Sequence, residues 1–278
     1  MQSQAVVAPT DEPARIPEAE LQALAALKLR DEDGVPLESP WHRFQINLLD
    51  ECIKSHWSDR NDFFVGGNMF LYFSPNQEKT ADYKGPDLFV VREVEDQRWR
   101  TYWAIWEEGN KTPDLVVELL SESTRREDLG RKKRLYERRL HIPEYVCWGA
   151  DPVDRDAPAE LYAWRLTGLT YQPIAPNERG WVWSEVLEAW LGMWEGEYAR
   201  VQARWLRLYD REGNLVPTRA ERAERERDAE RQRAEDAERQ RDAERRRAEQ
   251  AEHERDVERQ RLEQLKARLR ARGIDLDL

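Results

Sequence analysis

Between Thr218 and Gly273 the chain contains no proline and no glycine, and more than half of its residues there carry a charge. Ala220, Ala234, Ala248 and Leu262 recur every 14 residues, as do Ala223, Ala237, Ala251 and Leu265. A segment so rich in Ala, Glu, Arg and Gln, with so few apolar residues, has one ordered option, a long solvated helix. Every residue of a packed core must therefore come from the first 217 positions. The tail from Thr218 holds 18 basic and 18 acidic residues. The body, with 27 basic and 38 acidic, carries the whole net charge of −11.

In a heptad register the recurring Ala and Leu occupy a and d. The alternate a and d sites are Arg227, Glu230, Arg241, Glu244, Arg255 and Glu258, and a seam with half its knobs charged is weak. The tail reads either as a coiled-coil arm that makes a homo-oligomer or as a single helix held by Glu–Arg pairs at i,i+4. The Leu262-Leu265-Leu269 end is the part best suited to pair.

The body is organised by its apolar periodicity. Residues 1–37 read as a loosely ordered lead with one short helix over Glu18–Leu29. Ser39-Pro40 then gives the cap and first-turn signature of a helix carrying Trp41, Phe44, Leu48, Cys52 and Ile53 on one face. Three β-rich runs follow, at Phe63–Phe73, Leu88–Val94 and Leu115–Leu120. Thr124-Arg-Arg-Glu127 has the pattern of a capping box and starts a second helix that runs to about Leu140, before Pro143. Glu144–Trp148 reads as a strand, Leu161–Leu166 and Tyr171–Ile174 as a hairpin, and Trp205–Tyr209 as a last strand. Strands, a helix and a returning strand give an α/β fold, a mixed sheet with helices on its faces. The domains expected are the lead, a body over residues 38–217 and the tail over residues 218–278. Two cysteines without framework or metal spacing suit a reducing cytoplasmic setting. No stretch approaches a membrane span, and the N-terminus lacks the cationic and apolar regions of a signal peptide.

Two of the strands contain carboxylates. In Pro113-Asp114-Leu-Val-Val-Glu118-Leu-Leu120, alternation puts Asp114, Val116, Glu118 and Leu120 on one face. Glu118 is then an inward carboxylate, costly unless it has a partner, a hydrogen-bond network or a metal. Asp114 is about 13 Å from it along the strand, too far to share an ion. Asp87, in Gly85-Pro86-Asp87, can instead lie about 5 Å from Glu118 across a ladder, where two carboxylates converge on one Mg²⁺ or Mn²⁺. Such an ion activates water against a phosphodiester. The second helix offers a cation beside it, since Asp128, Lys132 and Tyr136 follow one another at i,i+4. Lys132 and Lys133 lie on opposite borders of the apolar stripe, and periodicity does not choose between them. Asp87 and Asp114 each follow proline, and an aspartate after proline at a strand entrance is commonly turn chemistry. Gln45 sits on the apolar face of the first helix as a core amide or a site-lining group, with Glu51 at the edge of that stripe.

These spaced segments, with Asp128-Leu-Gly-Arg-Lys132-Lys-Arg-Leu-Tyr136 and Pro143-Glu144-Tyr145, resemble the Uma family of putative restriction endonucleases in the PD-(D/E)XK superfamily. The likeness spans roughly Trp41–Asp210, and the charged tail also resembles that of some members. It implies a restriction-endonuclease-like sheet flanked by helices and divalent-metal hydrolysis of DNA. Carried over by position, Asp87 is the motif aspartate and Glu118 opens the (D/E)XK triplet. Leu120 stands at the lysine position, and the family's lysine corresponds to Lys132 on the following helix. The catalytic set is thus Asp87, Glu118 and Lys132, with Asp87 and Glu118 as metal ligands and arginines of the second helix as a rim for DNA. The rival reading is a catalytically idle nuclease fold that docks or oligomerises through its tail. The acidic body and Leu120 favour that reading.

Overall fold

The computed structural model describes residues 39–74, 77, 85–95, 98–152, 154 and 156–271. The expected lead helix over Glu18–Leu29 and the last residues of the tail lie outside them. The chain divides into two units, residues 1–219 and residues 220–278.

Helix α1 (Pro40–His56) begins as its sequence dictates. The Ser39 side chain accepts a bond from the His42 N–H, and Pro40 occupies the first turn, where its missing N–H costs nothing. Trp41, Leu48, Leu49, Cys52 and Ile53 form its buried face.

The main sheet has six strands in the order β1-β3-β5-β6-β7-β8, comprising β1 (Phe63–Gly67), β3 (Leu88–Arg92), β5 (Leu115–Leu119), β6 (Glu144–Gly149), β7 (Glu160–Thr167) and β8 (Thr170–Pro173). Only β5 and β6 run parallel; the other neighbours are antiparallel. Every residue of β5 and β6 is buried, as a central parallel pair covered on both faces requires. On one face Leu88, Val90, Val117, Leu119 and Trp148 pack with α1 and a second sheet. On the other, Phe89, Val116, Tyr145 and Cys147 pack with Tyr136 and Leu140 of the helical segment after β5.

That helical segment corrects the expectation of one regular helix. It consists of α2 (Arg125–Glu127), a π-helical turn over Asp128–Lys132 and α3 (Lys133–Arg138). Thr124 makes no side-chain cap. Instead its N–H donates to Ser121 Oγ at 3.1 Å, so the turn before the helix is closed three residues earlier than the capping-box pattern suggested.

The run Phe63–Phe73 also divides. After β1 the chain turns at Asn68, whose φ is 46°, and resumes as β2 (Leu71–Tyr72), which pairs in parallel with β4 (Trp103–Ala104). A second sheet of three strands, β9 (Val182–Ser184), β10 (Ala189–Tyr198) and β11 (Val201–Tyr209), had only its last strand legible in the sequence. The β10–β11 hairpin closes through Ala199-Arg200, with φ of 51° and 65°. A two-residue turn with both φ positive normally announces itself through Asn or Gly, and neither is there.

Gln45 covers an edge. Its Nε2 donates to the Leu206 carbonyl at 3.0 Å and its Oε1 accepts from the Leu206 N–H at 2.8 Å. Since β11 is the outer strand of its sheet, these are backbone groups that no neighbouring strand reaches. Gln45 is thus a satisfied core amide. Glu51 accepts from the Tyr198 hydroxyl at 3.0 Å.

The second unit is α4 (Arg219–Arg270), 52 residues and about 78 Å of helix. Ion pairs three and four residues apart, such as Arg245 with Asp242 and Glu249, lace its surface. Leu262 and Leu265 are exposed.

Candidate metal and phosphodiester site

Leu88 pairs with Val117 across the β3–β5 ladder, which sets Asp87, one residue earlier, opposite Glu118. The chain reaches Asp87 through Gly85-Pro86 just before β3 begins, so the aspartate stands at the strand mouth. Glu118 is fully buried within β5. The two groups engage each other. The Asp87 N–H approaches Glu118 Oε2 at 3.4 Å, and the Asp87 carboxylate accepts from the Leu119 N–H at 2.6 Å.

The helical segment brings the remaining groups. Lys132 Nζ lies 3.0 Å from Glu118 Oε2 and 2.8 Å from Asp128 Oδ1, so its ammonium bridges a strand carboxylate and a helix carboxylate. The Tyr136 hydroxyl donates to the other Glu118 oxygen at 2.9 Å. Tyr145 of β6 donates to the Asp128 carbonyl at 2.9 Å and anchors the π turn to the sheet. Lys133 goes elsewhere: its Nζ sits 4.3 Å from the centre of the Trp164 ring. Periodicity left the two lysines equivalent, and it is the placement of the π turn that separates them. π turns are rare and tend to occur at functional sites.

Burial dominates the electrostatics. It pushes the Glu118 carboxyl up to about 8, against the pull of Lys132. It raises Asp87 to about 6, against the Leu119 N–H and Lys132. For Lys132, burial works to lower the pKa, but Glu118 and Asp128 more than reverse it, so the ammonium stays charged. Tyr136 is driven well above its ordinary range by burial and then by the Glu118 charge, and remains a donor. Three acidic groups face one ammonium, and the raised carboxyls of Glu118 and Asp87 show that a proton takes up part of the excess; a divalent cation in its place would relieve the same excess. Among the described residues no three His, Cys, Asp or Glu side chains form a cage. An ion here would thus take Asp87 and Glu118 and complete its shell with water, which suits Mg²⁺ or Mn²⁺.

Asp114 is not part of this cluster. Its carboxylate accepts from the Arg92 N–H at 2.8 Å and from the Arg92 guanidinium at 3.3 Å, fastening the far end of β3 to β5. The sequence set Asp128 and Tyr136 at i,i+4 around Lys132 but gave neither a role in the site. The signal was the i,i+4 series Asp128, Lys132, Tyr136, whose three members all face the same carboxylate cluster.

A family model described as "Uma2: Putative restriction endonuclease" matches residues 26–194. No curated protein matches the chain. Among solved structures it is similar to a protein from Anabaena variabilis titled a putative nuclease belonging to DUF820. The identity is 14%, the match covers 55% of this chain and 76% of that one, and the TM-score is 0.36.

Proposed function

The chain belongs to the Uma2 family, described as putative restriction endonucleases, and on that premise we propose that it is a divalent-metal-dependent DNA endonuclease hydrolysing phosphodiester bonds. The observation that carries the reading is the meeting of Asp87, Glu118 and Lys132 at one point at the mouth of β3. Asp87 and Glu118 would hold the ion, Mg²⁺ or Mn²⁺. A divalent cation bound there supplies a Lewis acid and a water of lowered pKa. Tyr136 fixes the orientation of the Glu118 carboxylate, and the Leu119 N–H fixes that of Asp87. The Lys132 ammonium stabilises the negative charge that develops on the phosphate oxygens in the transition state. Its position on a helix takes the place of a lysine at Leu120, which is buried among apolar side chains. Arg126, Arg131 and Arg134 on the outer side of the same segment form a cationic rim for backbone phosphates.

The test is cleavage of supercoiled plasmid with Mg²⁺ or Mn²⁺ and with EDTA. Metal-dependent nicking by the wild type and none by Asp87→Asn is the expected result. A second reading, an idle nuclease fold that acts as an interaction module, draws on Leu120 and on the net charge of −11. It gains if no ion supports nicking.

A further inference from the structure

At the carboxyl ends of β5 and β6 lies a groove of about 430 Å³. Its floor is mostly apolar, with Leu120, Gly149 and Ala150 at the strand ends and Trp41 at the start of α1, beside the buried His42. Leu120 is two residues beyond Glu118, so the floor begins about 7 Å along the strand from the carboxylate cluster. Crevices outside the carboxyl ends of strands are where α/β sheets take ligands.

The rim of the groove is acidic. Glu122, Asp151 and Glu160 border it, against one cation, Arg125. Arg125 is already engaged, its guanidinium paired with Glu160. A phosphate would be repelled there, whereas a mostly apolar floor with carboxylate acceptors suits the flat face and amino edge of a nucleobase. The acidic body points the same way. A duplex presents one negative charge per about 1.7 Å and is held largely by cationic footprints, whereas an unpaired strand also binds through its base faces.

Building on the nuclease reading above, we infer that this groove seats an unpaired, amino-bearing base (cytosine, adenine or guanine) next to the phosphate being cut. The substrate class is then single-stranded or locally unpaired DNA, with thymine disfavoured in the groove.

The experiment uses the full chain and fluorescein-labelled 15-mers of oligo(dC), oligo(dA) and oligo(dT) with a 15-bp duplex, by anisotropy in EDTA. Cleavage of supercoiled plasmid and of the labelled 15-mers with Mg²⁺ is measured separately. Oligo(dC) and oligo(dA) should bind roughly tenfold tighter than oligo(dT), and tighter than the duplex. The double variant Glu122→Gln/Asp151→Asn should lose that preference, and Ala150→Phe, which fills the groove, should weaken binding of all three at an unchanged melting temperature. If Ala150→Phe unfolds the protein, the carboxamide variant alone decides. Equal binding of oligo(dT) and oligo(dC), or a preference that survives the carboxamide variant, overturns the groove assignment. Nicking without oligonucleotide preference removes the groove and leaves the nuclease. The preference with neither plasmid nor oligonucleotide cut leaves the groove and removes the nuclease, and absence of both preference and cleavage overturns both.

Discussion

The Lys132 ammonium lies 3.0 Å from the Glu118 carboxylate, a contact between a helix and a central strand separated by 14 residues of chain. Its other partner, Asp128, is four residues back on the same segment, so the π turn carries both ends of one ion pair and aims the pair at the sheet. Among the described residues Lys133 has no such ion pair and rests on the Trp164 ring. The two neighbouring lysines thus differ in what their removal should do.

Lys132→Ala should lower the cleavage rate by at least about a hundredfold while metal binding survives, because the ammonium acts on the transition state. It should also cost about 3 kcal/mol in urea unfolding above pH 8, where Glu118 is ionised, since it then leaves two buried carboxylates without their cation. Lys133→Ala should change only DNA affinity, in a salt-dependent way. An essential Lys133 beside a dispensable Lys132 would reverse the assignment.

Glu118→Gln should abolish cleavage and leave the metal-free protein as stable or more so at pH 8. Glu118 is raised to about 8 and Asp87 to about 6. A carboxyl raised in the folded state favours folding while protonated. That stability is present below the unfolded pKa of about 4 and is lost as pH rises, through about 6 for Asp87 and about 8 for Glu118. Melting in EDTA should therefore fall between pH 4 and 8, and added Mn²⁺ should restore it at pH 8. Glu118→Gln should flatten the upper part of the profile. A wild-type melting temperature that climbs with pH over this range would contradict the arrangement.

Gln45→Leu should destabilise the body by about 2–4 kcal/mol, because the Leu206 N–H and carbonyl lose their partners in a buried place. Nicking by the fraction that remains folded should keep the wild-type rate. A selective loss of activity would move Gln45 into the site.

Deleting Arg219–Leu278 should leave the melting temperature of the body almost unchanged, because the residues of α4 are exposed nearly throughout and bury little apolar surface. Sedimentation of the full chain and the truncated chain decides between the two readings of the tail. A monomeric full chain means a single helix, and an oligomer lost on truncation means a coiled-coil arm. A drop in melting temperature of several degrees on truncation would refute the prediction.

Local rules were enough wherever one residue type had one outlet. Ser39-Pro40 could only begin a helix, the Pro- and Gly-free charged tail could only be helical, and an inward glutamate among the valines of β5 had to have a partner. For Asp87 the residues alone allowed a place opposite that glutamate or an ordinary turn, and the family resemblance pointed to the first. The remainder depended on energies that no local window contains. The π turn, which separates Lys132 from Lys133, is held by contacts made across the fold, from Lys132 to Glu118 and from Tyr145 to the Asp128 carbonyl. The Ala199-Arg200 turn adopts two positive φ values because the β10–β11 ladder stabilises it, not because its residues prefer them. Asp114 and Asp87 look alike in sequence, each a carboxylate after proline at a strand entrance. One fastens Arg92 and the other meets Glu118, because antiparallel pairing of β3 with β5 carries them to opposite ends of the same ladder.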